Sequence, residues 1–452
     1  MKERRISQPS TLNPQLKLLP GSVTAPRGFR AAGVFCDIKR LGTGKGSDKG
    51  QKKDLALIVS EVPATVAGMF TTNQVQAAPV KVCLRCISGG VGQALVANSG
   101  NANACSGKQG FADAQEMARA AAGCLGLNPK HILVASTGRI GLNLPMRNVV
   151  AGIKSAAPKL GASARHAADA AVAIMTSDTR SKQCAVQFKI GGKTACIGAI
   201  AKGAGMIHPG MSPSGKRPVS RPTAPHATLL VFITTDAAVE RRALQEALRE
   251  AVAQSFNRIT VDGDMSTNDS VVILANGLAG NRRLTYRDLA TFQSALNCVC
   301  LELARMVVRD GEGVHRVVTV RLQGAANAAE ADAAARAVAN SALVKTSWHG
   351  GDPNWGRIID ALGYSTAKVI EHKVDIGYAA PGGKKVLWSL KRGRPTKATF
   401  QALCAAAALP EFDLHIHLNL GRGSAVIYAC DLTEAYVEFN KGDVTDQASL
   451  GG

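Results

Sequence analysis

The stretch TAPHATLLVFITTDA (223–237) passes from a loop of Pro, Ser, Arg and Lys directly into an apolar, β-branched run. Residues 229–233, LLVFI, predict a buried strand, because β-branched and aromatic side chains favour strands. Thr228 places a hydroxyl at the start of that strand, immediately after the small residue Ala227. Two interpretations are open for Thr228: it is the first residue of an ordinary strand, or it carries out the chemistry.

A threonine hydroxyl needs a neighbouring base before it can act as a nucleophile. Cleavage of the chain before Thr228 would supply one, because the freed α-amine has a pKa of roughly 7.7–8.0 and can act on its own side chain. Such cleavage requires a small preceding residue, a strained junction and a rigid element; Ala227, the Pro-rich loop ending at His226 and the strand match these needs. A threonine that opens a strand is common, so local chemistry leaves both interpretations open.

Length and composition indicate a large globular protein. The 452 residues favour two or three packed units, and no apolar run reaches the roughly 18 residues of a membrane helix. The net charge of +21 raises nucleic acid as a partner. However, the densest basic segments (39–54, 215–221 and 384–395) alternate with Gly, Ser and Pro, which is typical of a solvated surface. The prediction is therefore no nucleic-acid partner and no membrane partner.

Eleven scattered cysteines, an odd number, argue against a secreted disulfide framework. The lone CxxC motif of Cys83 and Cys86 has no second pair at zinc-site spacing, which favours buried, reduced thiols. Residues 1–20 are basic and lack the apolar core of a secretory signal. They are interpreted as a basic extension, either an organellar transit segment or a frayed end.

Alternating strand and helix patterns predict a layered α/β (α+β) architecture with more than one sheet. The glycine pair Gly191-Gly192 predicts a β-hairpin, and Thr285 with Asp288 predicts the capped start of a long helix. Residues 54–73 read as strands with turns, and residues 258–277 as a strand, an acidic turn and a second strand.

Three other motifs suggest chemistry but fit a structural interpretation better. GTGKGSDKG (42–50) fails the phosphate-loop pattern, since Lys39 occupies the first glycine position. His415 and His417 share one face of a predicted strand, but the spacing offers no third metal ligand. VDGDMSTND (261–269) lacks the closing Glu of a calcium loop and predicts a hydrogen-bonded turn. No metal site is predicted.

Ordered motifs along nearly the whole chain resemble the ornithine acetyltransferases, the bifunctional glutamate N-acetyltransferase/amino-acid acetyltransferase family of arginine biosynthesis. The stretches that carry the resemblance are VTAPRGFRAAGV (23–34), ANSGNANAC (97–105), ASTGRIGLNLPM (135–146), AIMTSDT (173–179), KGAGMIHP (202–209), ATLLVFITTDA (227–237), VDGDMSTNDS (261–270), DGEG (310–313), LVKTSWHGGDPNWGR (343–357) and CDLTEAYVEFN (430–440).

This resemblance implies self-cleavage between Ala227 and Thr228. It implies an α-chain whose structured part spans 21–227 and a β-chain 228–452, folded as a layered sandwich of stacked β-sheets flanked by helices, of the self-processed N-terminal-nucleophile type. Thr228 would pass an acetyl group from N-acetylornithine to glutamate by a ping-pong exchange. No cofactor is implied, although acetyl-CoA is a candidate second acetyl donor.

The resemblance also implies the remaining site residues and the assembly. Thr137 and Gly138 match an oxyanion-hole pair. The substrate-binding positions, besides Thr228 itself, are Thr176, Lys202, Glu312, Asn440 and Thr445. Two α- and two β-chains would form a heterotetramer. The basic extension favours the mitochondrial matrix, with the cytoplasm or a plastid as alternatives.

The chain departs from the family pattern at identifiable places. Residues 212–226 intervene where the family passes almost directly to the cleavage site. Arg139 stands where the family usually has a small apolar residue, and Val314-His315-Arg316 replaces Ala-Thr-Lys. The C-terminal end lacks the aromatic residue of the family.

Two other functions compete with the transferase. A related N-terminal-nucleophile amidohydrolase or aminopeptidase would send the acyl group to water and would need no glutamate. An unprocessed binding protein would use the net charge of +21 and stay in one piece.

Overall fold

The computed structural model describes residues 16–39, 52–216, 229–282 and 284–441. The predicted residues Ala227, Thr228 and Thr445 lie outside the described residues, as do the loop 42–50 and residues 1–15.

Within the described residues the strands form two sheets. The first sheet contains β1 (Lys17–Leu18), β2 (Phe29–Val34), β3 (Leu55–Thr71), β4 (Val91–Asn101), β5 (Ile132–Arg139), β6 (Lys182–Ile190), β7 (Lys193–Lys202), β8 (Met211–Ser212), β9 (Leu230–Thr235) and β10 (Ser270–Ala275). The second contains β11 (Val317–Ala325), β12 (Asp375–Ala379), β13 (Leu387–Lys391), β14 (Arg394–Pro395), β15 (Glu411–His417) and β16 (Gly423–Cys430).

The helices cover the outer faces of these sheets or lie between them. They are α1 (Ala78–Gly89), α2 (Gly107–Leu125), α3 (Met146–Ala156), α4 (Ala164–Ala173), α5 (Arg241–Gln254), α6 (Tyr286–Arg309), α7 (Ala328–Asn340), α8 (Ala342–Gly350), α9 (Trp355–Gly363), α10 (Phe400–Ala407) and α11 (Glu434–Asn440). No helix in the described ranges combines the length and apolarity that crossing a bilayer requires.

The first sheet folds back on itself. Its strand order is β1-β6-β7-β9-β10-β3-β4-β5, so five strand spacings separate β7 from β5. A flat sheet would hold them about 24 Å apart. Instead, Lys202 at the end of β7 donates a hydrogen bond to Thr137 near the end of β5. The long strand β3 makes the bend possible, because its first half pairs with β2 and β4 and its second half with β10.

Alternate residues of β9 enter different cores, which shows that this strand is covered on both faces. Leu230 and Phe232 pack in the cluster shared with β4, β5 and α1–α4. Val231 and Ile233 pack in the cluster shared with α5 and α6. Continuous burial explains why this stretch is apolar throughout rather than alternating with polar residues.

A third cluster lies between the second sheet and helices α7–α10. Helix α6 separates the two sheets, since it contacts β6 and β7 on one side and β16 on the other. The stacked sheets and flanking helices confirm the layered α/β architecture expected from the sequence.

Several local predictions are confirmed. Gly191 and Gly192 turn the β6–β7 hairpin with positive φ angles of 53° and 75°. Thr285 caps α6 in a reciprocal capping box with Asp288. Cys83 is free and buried, and its Sγ lies 2.9 Å from the Val134 carbonyl oxygen.

Two features differ from the sequence-based expectations. The predicted strand that begins at Arg258 is wrong, because Ile259 makes only an isolated bridge to Tyr428. Residues 54–73 contain one 17-residue strand instead of several strands with turns. Also, Lys17 and Leu18 pair with β6, so the end of the basic extension joins the sheet.

Candidate active site

The start of β9 is fixed by hydrogen bonds on both sides of Leu229, the residue that follows Thr228 in the chain. The Leu229 N–H donates to Asp269 Oδ1 at 2.6 Å, and the Leu229 carbonyl accepts from the Ser270 N–H at 2.9 Å. Leu229 and Asp269 are fully buried. The entry of β9 into the sheet is therefore a rigid point, as a nucleophile at a strand start requires.

Thr137 and Gly138 lie at the end of β5, where the pairing with β4 becomes irregular. Gly138 has a φ of 127°, a conformation that side-chain-bearing residues rarely adopt. A Cβ atom there would stand 2.4 Å from the Gly100 carbonyl carbon. The turn therefore requires glycine both for its backbone angle and for the close approach of β4.

Lys202 joins the end of β5 to the start of β9. Its backbone pairs with Leu230 in the β7–β9 ladder, and its Nζ donates to Thr137 Oγ1 at 3.3 Å. Lys202 is only 2% exposed. The structure thus brings the predicted residues Thr137 and Lys202 together, beside the strand that follows Thr228 in sequence.

Burial lowers the pKa of Lys202 below the ordinary lysine value. The carboxylates of Asp178, Glu312 and Asp269 oppose this effect, and the ammonium of Lys182 adds to it. Lys202 can therefore bind an anionic group only if these carboxylates do not already neutralise the charge of its ammonium group.

The loop that contains Thr176 is held by a buried ionic network which the sequence did not reveal. Asp178 accepts from the Thr176 N–H at 3.0 Å, the Gly203 N–H at 2.7 Å and Lys182 Nζ at 2.6 Å. Lys182 also pairs with Asp310 at 2.6 Å. Thr176 is half-buried and lies on the same network as the loop after Lys202.

Asp178 is ionised in this network over an unusually wide pH range. Burial raises the pKa of its carboxyl group, but Lys202, Lys182 and the Gly203 N–H together outweigh burial and hold that pKa at about 2. The motif AIMTSDT (173–179) contains Asp178 two residues after Thr176, the residue of this motif that is predicted to bind substrate.

Glu312 and Asn440 form the other side of the site. Asn440 Nδ2 donates to Glu312 Oε2 at 2.8 Å and to the Tyr436 carbonyl at 2.9 Å. The Glu312 N–H donates to the Ala204 carbonyl at 3.0 Å. Gly205 allows the Glu312 carboxylate to approach, because a Cβ there would stand 2.3 Å from its Oε2.

Asn268 is a further residue that sequence reasoning missed. Its Nδ2 donates to the Ala102 carbonyl at 2.6 Å and to the Ser136 carbonyl at 2.8 Å, next to Thr137. Asn268 thus ties the segment before β10 to the end of β5. The motif VDGDMSTNDS (261–270) contained it, but its partners lie more than a hundred residues away in the chain.

The two alternative cation motifs have structural roles. Asp262 accepts from the Met206 N–H at 2.6 Å and the Ile207 N–H at 2.8 Å, which confirms a hydrogen-bonded turn. His415 and His417 lie on β15, and the His417 ring packs 5.1 Å from that of Trp388. Among the described residues, neither histidine belongs to a group of three potential metal ligands.

The arrangement combines a glycine turn, a buried ammonium and a half-buried carboxylate. Such a set can stabilise an oxyanion, attract a carboxylate and hold an amine. It suits acyl transfer between amino acids.

Comparison with known proteins gives one consistent family. The ArgJ family model matches residues 30–443. The arginine biosynthesis bifunctional protein ArgJ of Symbiobacterium thermophilum is 48% identical over 432 residues, which cover 94% of this chain and 99% of that protein. The protein of the same name from Bacillus subtilis is 40% identical over 431 residues, which cover 94% and 97%.

Solved structures of similar proteins include two from this family. A crystal structure of arginine biosynthesis bifunctional protein ArgJ from Bacillus halodurans is 41% identical, with a TM-score of 0.40, and covers 44% of this chain and 98% of its own. An ornithine acetyltransferase from Mycobacterium tuberculosis, complexed with ornithine, is 38% identical, with a TM-score of 0.39, and covers 44% and 100%.

Proposed function

The chain belongs to the ArgJ family and is an acetyltransferase of arginine biosynthesis; from this premise we propose that Thr228 carries the acetyl group from N-acetylornithine to glutamate. The observation that carries the proposal is the contact between Lys202 and Thr137 at the strand end that pairs with Leu230. It joins three separately predicted parts of the site.

Self-cleavage at Ala227-Thr228 would prepare the nucleophile. The Thr228 hydroxyl attacks the Ala227 carbonyl carbon, and the peptide C–N bond breaks as the Thr228 nitrogen takes up the hydroxyl proton and becomes a free α-amine. Water then hydrolyses the resulting ester, which frees the Thr228 hydroxyl and the Ala227 carboxylate. That amine then takes the proton of the Thr228 hydroxyl during acyl transfer. The hydrogen bond from Leu229 to Asp269 supports this role, because it anchors the residue after the nucleophile.

Acetyl transfer then proceeds in two half-reactions. Thr228 Oγ attacks the acetyl carbonyl carbon of N-acetylornithine, and ornithine leaves after its nitrogen takes up the proton. The amine of glutamate attacks the acetyl ester and releases N-acetylglutamate. Thr137 and Gly138 would stabilise the oxyanion in both steps, a contribution of roughly 3 kcal/mol per donor.

The substrate-binding residues divide by charge. Lys202 is suited to a substrate carboxylate, and the Glu312 carboxylate, oriented by Asn440, is suited to the free amino group of ornithine. Thr176 and Thr445 would add hydroxyl contacts.

An assay with N-acetylornithine and glutamate tests the reaction. We expect equal amounts of ornithine and N-acetylglutamate, and a denaturing gel with fragments 1–227 and 228–452. Thr228→Ala should give one full-length band and no transfer, whereas Thr228→Ser should retain part of both activities. Absence of ornithine release from a processed protein would reject the transferase, and acetate release without glutamate would favour the hydrolase. Neither the hydrolase nor the binding protein is favoured by the family match.

The second acetyl donor can be tested in the same assay, whereas the assembly and the compartment are separate points. The relatives are named as bifunctional, and we therefore include acetyl-CoA with glutamate as a second activity, measured as free CoA. The proposed assembly contains two α- and two β-chains. The named relatives are bacterial, so they lend no support to a mitochondrial location and agree with the cytoplasmic alternative.

A further inference from the structure

A second group of potential ligands lies outside the active site described above. It consists of His315 after the DGEG loop, His349 at the end of α8 and Asp431 after β16. One ligand atom from each of these residues lies within 4.8 Å of the other two. Three chain segments that are far apart in sequence therefore converge on one point with two imidazoles and a carboxylate.

The His349 and Asp431 atoms that face each other lack hydrogen-bond partners among the described residues. His349 Nε2 lies 3.0 Å from Glu434 Oε2, so a proton on Nε2 would be shared with that carboxylate. Nδ1 then presents a lone pair to Asp431 Oδ2 at 3.4 Å. Within the described residues, neither His349 Nδ1 nor Asp431 Oδ2 makes a hydrogen bond, although both atoms are buried. Two buried acceptors that face each other are stable only with a proton or a metal ion between them.

The ligands are already oriented. Asp431 Oδ1 accepts the backbone N–H groups of His315 and Arg316, both at 3.0 Å, which turns Oδ2 towards the histidines. The Arg316 guanidinium binds the carbonyls of Trp348 and His349 and so fixes the end of α8. The contact from Glu434 repeats the carboxylate–histidine arrangement that usually orients metal-bound imidazoles.

We propose that His315, His349 and Asp431 bind a divalent transition-metal ion such as Zn²⁺. The 3.4 Å between His349 Nδ1 and Asp431 Oδ2 is the separation of about 3.4 Å that two ligands of a tetrahedral zinc ion adopt. Imidazole nitrogens favour Zn²⁺ over Mg²⁺ or Ca²⁺. The exposed His315 ring supplies the third ligand, and water completes the shell.

A bound ion would join the segment after Glu312 to the segment that leads into α11. Thr433 already donates to the Gly313 carbonyl at 2.7 Å across the same junction. The ion would thus reinforce an existing contact and takes no part in acetyl transfer.

Calorimetric titration of the full-length, tag-free protein with Zn²⁺ tests the proposal. We expect one ion per chain, a metal-dependent rise in melting temperature, and weakening of binding by about 10–100-fold in Glu434→Gln. His315→Thr should weaken binding at least as much, and it should fold normally because His315 is exposed. His372→Ala, which removes an exposed histidine elsewhere, should bind like the unmodified protein.

Two outcomes would overturn the site. One is equal Zn²⁺ affinity in the unmodified protein and His315→Thr, or no uptake by either. The other comes from Co²⁺ in place of Zn²⁺: a thiolate-to-metal charge-transfer band would assign the ion to cysteines such as the exposed Cys105 and Cys124. Visible d–d bands without that charge-transfer band, lost in His315→Thr, would support the proposal.

Discussion

Lys202 is the residue on which the proposed site depends most, because it is a buried cation placed between the predicted oxyanion turn and the start of β9. Its pKa is lowered chiefly by burial, so its ammonium loses the proton at a lower pH than a surface lysine does. If this charge binds a substrate carboxylate, kcat/KM falls as pH rises through that lowered pKa, below the ordinary value of about 10.4.

Lys202→Arg should move this alkaline limb to higher pH, because a guanidinium keeps its charge. Lys202→Met should lower kcat/KM at every pH, mainly through a higher KM. Steady-state kinetics on processed enzyme from pH 7 to 10 would measure both effects. If the alkaline limb of the pH profile stays in place in Lys202→Arg, the limb arises from a group other than Lys202.

Asp178 makes a second residue-scale prediction, on acid stability. Its folded-state pKa of about 2 lies below the ordinary value of 3.8, so its stabilising effect is complete above pH 3.8 and is lost as pH falls towards 2. The difference corresponds to about 2 kcal/mol. Asp178→Asn should lower the free energy of unfolding by about 3–5 kcal/mol at pH 7, since it removes a partner of the buried Lys182.

Urea unfolding of the unmodified protein and of Asp178→Asn, at pH 6 and at pH 2.5, would measure the gap between their free energies of unfolding. It should narrow by about 1.5 kcal/mol at the lower pH, because pH 2.5 still lies above the folded-state pKa of about 2. Glu61→Gln serves as the control, because Glu61 forms an exposed pair with Arg30, and its small effect should hardly change. A gap of constant size would show that Asp178 has an ordinary pKa.

At the scale of the element, the end of β5 depends on a glycine that cannot be replaced without moving β4. Gly138→Ala places a Cβ 2.4 Å from the Gly100 carbonyl carbon. We expect kcat to fall by about 100-fold or more, because the predicted oxyanion donors would shift. Gly141→Ala is the matched control: Gly141 also has a positive φ, of 91°, but no atom lies within 4 Å of its added Cβ.

Both variants should lose about 1–3 kcal/mol of stability from backbone strain alone. Only Gly138→Ala should also lose catalytic activity. The rate of single-turnover acetylation of Thr228 would measure this loss. Equal kcat values in the two variants would show that the turn at Gly138 does not contribute to catalysis.

Elements were predictable where local chemistry defines them. The capping box of Thr285 and Asp288 and the glycine pair at 191–192 gave the correct helix start and hairpin, because these signals act within a few residues. The single long strand β3 was not predicted, since its course depends on pairing with β2, β4 and β10.

The site divides in the same way. Thr137, Lys202, Glu312 and Asn440 came from motif resemblance, and the structure brings them into two contacts, but it does not test their catalytic roles. Asp178 and Asn268 lie within motifs that carry the resemblance, but their roles could not be predicted because partners such as Gly203 and Ser136 come from distant parts of the chain.

At the scale of the whole molecule, the proposed cleavage point divides a sheet whose strands remain interleaved. In the order β1-β6-β7-β9-β10-β3-β4-β5, only the central pair β9–β10 lies after residue 228. On their outer edges β9 pairs with β7 and β10 pairs with β3. Both β7 and β3 belong to the fragment 1–227. Cleavage before β9 would therefore leave every described strand pairing in place.

The two fragments should consequently stay together after processing. The side chains of β9 and β10 are buried on both faces, and each large apolar one contributes about 1.5–3 kcal/mol. We expect 1–227 and 228–452 to co-elute in gel filtration and to separate only in denaturant.

When co-expressed as two chains, they should assemble and acquire activity without cleavage, because residue 228 then begins the second chain once its initiator Met is removed. Either fragment expressed alone should aggregate, since it would expose the strand edges and apolar faces that the other covers. Fragments that separate in native buffer, or that fold singly, would contradict the interleaved sheet as the cause of their association.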